Sequence, residues 1–263
     1  MGQRIKILLT NDDGFFSPGS NHLYRGLKRE FDVTVVAPET EQSGMGHAFS
    51  YKKPLLFNKI IFQDNVTGYA VSGTPADCVK IALGCILTEK PALIVSGINY
   101  GGNTGVAGFY SGTVAAVREG AFWQIPGMAF SISESNPCYF AEYAEVSSAI
   151  LKKILLNDTV ETTGRRIFFN VNYPPCHPDR CAGTKITRQS LSFYDDKYIP
   201  RERESGITEY WLEGGKKDVE LQNEYDTRAV ENNYIAITPL QIDATAFDCI
   251  ASLEGLKQLH LKE

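Results

Sequence analysis

Ile5, Ile7, Leu8 and Leu9 form a near-continuous apolar run that stops at Asn11-Asp12-Asp13-Gly14. Such a run suits a strand covered on both faces, and strands of that kind belong to parallel sheets flanked by helices. Ser17-Pro18 follows as an N-cap with proline at the first helical position, where the missing N–H costs nothing, and Leu23, Leu27 and Phe31 continue at helical spacing. Asp12 and Asp13 are therefore expected at the carboxyl end of a strand, the edge where open α/β sheets bind ligands. Two neighbouring carboxylates repel one another, so both stay ionised cheaply only in open water or beside a cation. Read alone, the pair fits either a solvated Asn-Asp-Asp-Gly turn or a divalent-metal site.

The same alternation runs on. Asp32 to Pro38 reads as a second strand, and a connection of this length gives a parallel pair with right-handed crossover. Leu55 to Gln63 and Val66 to Ser72 read as a hairpin turning at Asp64-Asn65. Thr74-Pro75-Ala76-Asp77 opens a second helix whose apolar face is Cys78, Ile81, Ala82, Cys85 and Ile86. Ala92 to Ile98 is a third strand of the parallel type, running into the glycine-dense Asn99-Tyr100-Gly101-Gly102-Asn103. Ser111-Gly112-Thr113 then starts a helix through Val114, Val117 and Phe122, and N–H groups at a helix start beside two hydroxyls make either an anion site or a plain serine cap. Ile125 to Ser131 is a fourth strand, Tyr139 to Leu156 a helix with Tyr143, Val146, Ile150 and Ile154 on one face, and Ile167 to Val171 a fifth strand. Strand and helix thus alternate over about 170 residues, the pattern of an α/β doubly wound, mainly parallel sheet.

After Cys176 the pattern changes. Thr184 to Ser190, Ile207 to Leu212 and Tyr234 to Leu240 read as strands separated by charged loops, Asp195 to Glu204 and Glu213 to Glu224, and Phe247 to Leu259 as a closing helix. Loops that long are functional, mobile or supported by another subunit.

At 263 residues and 43% hydrophobic, the chain buries a substantial core. A net charge of -5 argues against a nucleic-acid duplex as partner. No run approaches the ~20 apolar residues that span a bilayer, and the first residues enter a strand without a signal-type apolar core, so no membrane partner and a cytoplasmic location are expected. The six cysteines contain no C-x-x-C pair; Cys78, Cys85 and Cys249 sit in apolar helical patterns, and Cys176-His177…Cys181 reads as a polar loop rather than zinc, having no partner set elsewhere.

One edge of one sheet now collects Asp12 and Asp13, Ser43, Asn99 and Asn103, and Ser111-Gly112-Thr113. All offer oxygen or backbone donors, a set that selects a hard cation such as Mg²⁺, Mn²⁺ or Ca²⁺. With two carboxylates against a 2+ ion, the site lacks surplus negative charge and suits a phosphate ester. His47, in the loop after the second strand, is in reach of a leaving group, though a lone loop histidine is more often a surface residue.

In order along the chain stand TNDDG, APETEQSG, SGTPADCV, VSGINYGGN, YSGTVAAVREG and AITPLQID, from Ile5 to about Ala251. This combination resembles the SurE family of survival-protein nucleotidases. The resemblance implies a divalent-metal-dependent phosphomonoesterase acting on nucleoside 5'- and 3'-monophosphates, and on short polyphosphate. It also implies a Rossmann-like core and a C-terminal β-rich extension used in oligomerisation, as a homodimer or homotetramer. On that pattern the chain is one domain, with a core of about 1–175 plus 235–263 and a protruding segment of about 176–234. Asp12, Asp13, Ser43 and Asn99 match the ligands of one divalent cation per subunit, with Asp12, Asp13 and Asn99 catalytic; Asn103, Ser111, Gly112 and Thr113 match residues around the phosphate. Asn232-Asn233-Tyr234 stands where the family often has Glu-Gly-Tyr, and asparagine tolerates the left-handed turn that glycine would make.

Two other chemistries use an acidic pair after a first strand. A phosphatase working through an aspartyl phosphate usually separates nucleophile and acid as D-x-D, and here the aspartates adjoin. A signalling receiver domain needs a phosphoryl-accepting aspartate after a later strand, where this chain has Asn99, and it is about half this length.

Overall fold

The computed structural model describes residues 4–61, 67–133, 138–156 and 166–258. The first strand, β1 (Lys6–Thr10), sends successive side chains to opposite faces, so Ile7 and Leu9 enter one apolar cluster and Leu8 another. The first cluster is roofed by α1 (Pro18–Leu27) and α5 (Phe140–Leu156), through Leu23, Leu27, Tyr143 and Leu151. The second lies under α2 (Pro75–Ile81) and α4 (Gly112–Phe122), through Val79, Val114 and Val117, with the short α3 (Ala107–Tyr110) leading into α4. Helices on both faces of the sheet make this the doubly wound α/β architecture that the alternation predicts.

The remaining strands are β2 (Asp32–Pro38), β3 (Phe57–Ile61), β4 (Thr67–Val71), β5 (Leu93–Tyr100), β6 (Gly127–Ile132), β7 (Ile167–Tyr173), β8 (Gly183–Ile186), β9 (Phe193–Glu202), β10 (Thr208–Lys217) and β11 (Tyr234–Gln241). The sheet runs β3-β4-β2-β1-β5-β6-β7-β11-β8, parallel from β4 through β7, with β3 and β11 joining antiparallel. From β1 the chain winds outward to β2 and β4, then returns to lay β5 on β1's other side. The winding reverses between β1 and β5, and that crevice at their carboxyl ends is the switch point where such sheets take ligands.

Several expectations shift at their edges. Helix α1 ends at Leu27 and Phe31 lies beyond it, still buried in the first cluster. The π-helical turn Ala82–Ile86 follows α2, leaving Cys85 exposed, and Cys249 is exposed as well, so of the three cysteines read as helical hydrophobes only Cys78 is buried. The Asp64-Asn65 turn lies outside the described residues, although β3 and β4 pair antiparallel as the hairpin requires. The strand expected from Thr184 to Ser190 shortens to β8, and the closing helix becomes α7 (Phe247–Ile250) and a 3₁₀ segment, Ala251–Gln258, after α6 (Asp226–Glu231).

The larger correction concerns the charged stretches read as loops. Most of Asp195 to Glu204 is β9 and the first part of Glu213 to Glu224 is β10, ten residues each, paired antiparallel from Phe193↔Lys217 to Glu202↔Thr208 in a separate two-stranded sheet. Both of its faces are largely exposed, so the strands carry charges at consecutive positions and lack the apolar alternation by which a half-buried strand is recognised. Their cross-strand partners hold the register instead: Asp195 with Lys217 at 2.8 Å, Arg201 with Glu213 at 3.0 Å, and the Arg201 guanidinium over the Trp211 ring. Asn233 takes the left-handed conformation, φ +60°, as its place in the turn requires.

Helix α1 reaches β5 through Gly19, where an added Cβ would fall 1.8 Å from the carbonyl oxygen of Ile98. Gly19→Ala is expected to destabilise the protein by about 1–3 kcal/mol or more through overpacking, lowering Tm by roughly 2–4 °C per kcal/mol in a chain of this size. Gly84→Ala, whose Cβ would meet nothing within 4 Å, should leave Tm unchanged or higher. Equal shifts for the two on thermal unfolding would refute close packing of α1 as the cause.

Candidate active site

The turn after β1 is built around a buried amide. Asn11 Nδ2 donates to the Gly14 carbonyl at 2.8 Å and to Ser17 Oγ at 2.7 Å, while Asn11 Oδ1 accepts from the Gly14 N–H at 3.2 Å. One residue thus closes the Asp12-Asp13 turn and ties it to the N-cap of α1, so the stretch is a turn, but a buried one and not the solvated turn its residue types suggest. The carbonyl of Asp12 accepts from the N–H of Gln42 at 2.7 Å, binding the turn to the loop after β2.

Asp12 is 3% exposed, and its carboxylate sits at the start of α4. Oδ2 accepts from the Thr113 N–H at 3.0 Å and Oδ1 from the Thr113 hydroxyl. A helix N-terminus favours an anion, and in this protein the anion is a side chain of the chain itself. Burial pushes the Asp12 carboxyl above its usual range, against the pull of the N–H groups of Gly112 and Thr113. Gly112 is required for this seating, since a Cβ there would lie 2.8 Å from Asp12 Cβ and 3.0 Å from Pro75 Cγ.

Asp13 has less support. Its Oδ2 faces the Tyr100 N–H at 3.4 Å, and burial together with the adjacent Asp12 charge pushes its carboxyl up to about 7. Neither aspartate forms an ion pair with a lysine or arginine among the described residues.

Asn99 is the last but one residue of β5, where the register with β6 shifts between Ser96 and Asn99, and its Nδ2 donates to the Gly101 carbonyl at 2.6 Å. Ser43 Oγ, in the loop after β2, donates to Glu41 Oε1 at 2.7 Å. Ser111 caps α4, accepting from the Val114 N–H at 3.1 Å. Asp12, Ser43, Asn99, Asn103 and Ser111 all line one cleft of about 1180 Å³, whose far wall includes Phe193, Tyr194 and Leu212 of the β9–β10 hairpin. Gly112 and Thr113 stand behind Asp12 instead of lining the cleft.

The donor set fits a hard divalent cation: two adjacent carboxylates without a protein counter-charge, plus the neutral oxygens of Ser43 and Asn99. Among the described residues no group of three His, Cys, Asp or Glu side chains is arranged to hold a metal, so Glu41, whose charge reaches Asp13, does not complete a three-acid cluster with the pair, and Cys176-His177…Cys181 is not arranged as one either.

Other functional positions are hidden in the sequence. Asn103 is gripped from behind, its N–H donating to Asn172 Oδ1 at 2.7 Å, its Nδ2 to Ser131 Oγ at 2.8 Å, and its carbonyl accepting from Asn170 Nδ2 at 2.8 Å. Asn170-Val171-Asn172 places two carboxamides on one face of a strand otherwise buried and apolar, a period-2 signal that could have been read. His47 does not line the cleft. Its Nε2 meets Glu119 Oε2 at 2.9 Å, and its ring stacks on Phe122. Glu119 also accepts from Lys80 Nζ and Trp123 Nε1, each at 2.9 Å; burial pushes its carboxyl up, but these three partners outweigh it and hold the group below its usual range.

The family model for survival protein SurE matches residues 7–196. A 5'-nucleotidase SurE of Thermosipho africanus is 39% identical over 251 residues, covering 95% of this chain and 96% of its own. One of Alkaliphilus metalliredigens is 37% identical over 265 residues, covering 98% and 100%. The crystal structure of the SurE protein from Aquifex aeolicus superposes with a TM-score of 0.82 at 36% identity, over 96% of this chain and 99% of that one. On sequence and on fold alike, this chain belongs to the SurE family.

Proposed function

We propose that this protein is a divalent-cation-dependent 5'-nucleotidase, hydrolysing nucleoside 5'- and 3'-monophosphates to nucleoside and phosphate, with short polyphosphate as a further substrate. The observation that carries the reading is the convergence of Asp12, Ser43, Asn99, Asn103 and Ser111 on one cleft at the switch point, with Asp13 beside Asp12. The nucleotidases to which the chain is similar over nearly its full length support the substrate class.

Asp12, Asp13, Ser43 and Asn99 would hold one Mg²⁺, Mn²⁺ or Ca²⁺ ion. Such an ion supplies charge neutralisation for the phosphate oxygens and acidifies the attacking water. Thr113 and Gly112 keep the Asp12 carboxylate seated on the α4 terminus, so it needs no reorganisation when substrate enters. Asn103 and Ser111 face the cleft and offer a carboxamide and a hydroxyl to the phosphate, holding its oxygens in the bound substrate as well as stabilising the charge that grows on them. Phe193 and Leu212 give the cleft an apolar wall that suits the nucleoside. A covalent aspartyl phosphate is disfavoured, because that chemistry separates nucleophile and acid as D-x-D and here Asp12 and Asp13 adjoin. The extension presents Tyr198, Tyr210, Trp211 and Leu212 to solvent, and this exposed patch supports a homodimer or homotetramer built through the hairpin.

Asp12→Asn or Asp13→Asn should nearly abolish phosphate release from a nucleoside monophosphate at saturating Mg²⁺ or Mn²⁺, and EDTA should do the same to the parent protein. Full activity in either variant would overturn the assignment.

The Asp13 carboxyl, at about 7 in the folded metal-free protein against its ordinary 3.8, binds its proton more tightly folded than unfolded. Its contribution to stability is therefore complete below about pH 4 and is lost as pH rises through 7. In EDTA the protein should melt at lower temperature at pH 8 than at pH 5.5, and Asp13→Asn should flatten that difference. An added divalent cation should raise Tm most at pH 8. A metal-free Tm that rises over this range by a part that Asp13→Asn removes would contradict the sign.

Sedimentation velocity at micromolar concentration should give a dimer or larger. A monomer would leave the hairpin as a wall of its own subunit's cleft only.

A further inference from the structure

The chain between Asn103 and Ser111 joins two residues that the cleft offers to the phosphate, and its midpoint is held by the C-terminal extension. The N–H of Gly105 donates to Asp226 Oδ2 at 3.0 Å, and the Gly105 carbonyl accepts from Gln189 Nε2 at 2.8 Å. The Val106 N–H donates to the Ser192 carbonyl at 3.0 Å. Gly105 has φ +60°, and a Cβ there would lie 2.7 Å from Ser192 O and 2.8 Å from Ser190 Oγ. Both backbone polar groups of the loop's midpoint are therefore satisfied by the segment Gln189–Ser192 and by α6.

Asp226 is the knot of this contact. It is fully buried, and Oδ1 accepts from the N–H groups of Ser190 at 2.9 Å and Thr227 at 2.7 Å, while Oδ2 takes Gly105. Ser190 Oγ and Thr227 Oγ1 lie 2.8 Å apart and close the knot from the side. Three backbone donors converging on one group call for an acceptor-only side chain, which an ionised carboxylate is and a carboxamide is not. Burying such a charge is costly without several donors, so its place here is tied to the geometry that it enforces.

We propose that Asp226 is a positioning residue for the phosphate site. Through Gly105 it sets where Asn103 and Ser111 stand in the cleft, so the C-terminal extension completes the substrate loop of its own subunit in addition to any role between subunits. The inference rests on the cleft being a phosphate-ester site.

The test is a comparison of Asp226→Asn and Gly105→Ala with the parent protein, using AMP and Mn²⁺. In Asp226→Asn the new NH₂ faces a backbone N–H; in Gly105→Ala the loop is displaced from the opposite side. Both should lower kcat/KM on the order of 10- to 100-fold, the scale of a small misplacement of binding groups. The loss should lie mainly in KM, with Mn²⁺ affinity measured by calorimetry without nucleotide within about twofold of the parent. A purely architectural role would lower Tm and the active fraction while leaving KM unchanged. Folded variants that both keep the parent KM overturn the proposal. If Asp226→Asn does not fold, Gln189→Ala, which removes one side-chain tether of the loop, takes its place with a smaller KM rise expected and an unchanged KM refuting. A parent protein that releases no phosphate from AMP or the wider panel would refute the nucleotidase reading itself. The loop coupling would then be read by hydrogen exchange at Gly105 and Val106, faster in the variant if Asp226 holds the loop and unchanged if it does not.

Discussion

The arrangement around the cleft depends on one buried carboxylate at one helix terminus. Asp12 is removed from water and set beside a second acid, a placement that burial alone would penalise. The N-terminal N–H groups of α4 and the Thr113 hydroxyl make it tolerable, and they fix the direction in which the carboxylate looks. This seat exists because β1 and β5 adjoin at the switch point: the loop after β5 brings α4 back across the end of β1. An acidic pair held this way, with no lysine or arginine paired to it among the described residues, suits the cation proposed for it.

Buried carboxylates also anchor the loops that carry the other site residues. Asp77, in the first turn of α2, accepts from the N–H and hydroxyl of Ser50 at the end of the loop bearing Ser43. Glu119 on α4 holds His47 in the same loop, and Asp226 on α6 holds Gly105 between Asn103 and Ser111. Each tether reaches from a helix to a loop distant in sequence. A loop has no ladder to hold its backbone, and a buried, fully hydrogen-bonded acid gives it one defined position. Asn170 and Asn172 do the same for Asn103 from the sheet itself.

Local signals were strong wherever local physics decides. The apolar run of β1, the Ser17-Pro18 and Thr74-Pro75 caps and the order of strands and helices need only short-range periodicity and capping chemistry, and the Thr74–Asp77 capping box is present as its residues suggest. Of the hairpin only Ile207 to Leu212, nearly all of it within β10, reads as a strand from the sequence; the rest is not legible, because strands exposed on both faces carry no apolar alternation and their cross-strand pairs are unknown until the register is. A hydroxyl at a helix start is an anion donor and so points Thr113 toward a phosphate, but sequence order does not reveal that the carboxylate of Asp12 is an anion it meets.

What the sequence by itself determined is the class of fold, the edge on which the candidate site lies and the kind of atoms gathered there, since strand periodicity, helix caps and donor types are properties of neighbours in the chain. Only the tertiary structure decided which donors meet. Asp12 with Thr113 spans 101 residues and Gly105 with Asp226 spans 121. Contacts that distant are set by the winding order of the sheet and by which buried charge must find which N–H group, and neither leaves a local mark on the residues involved.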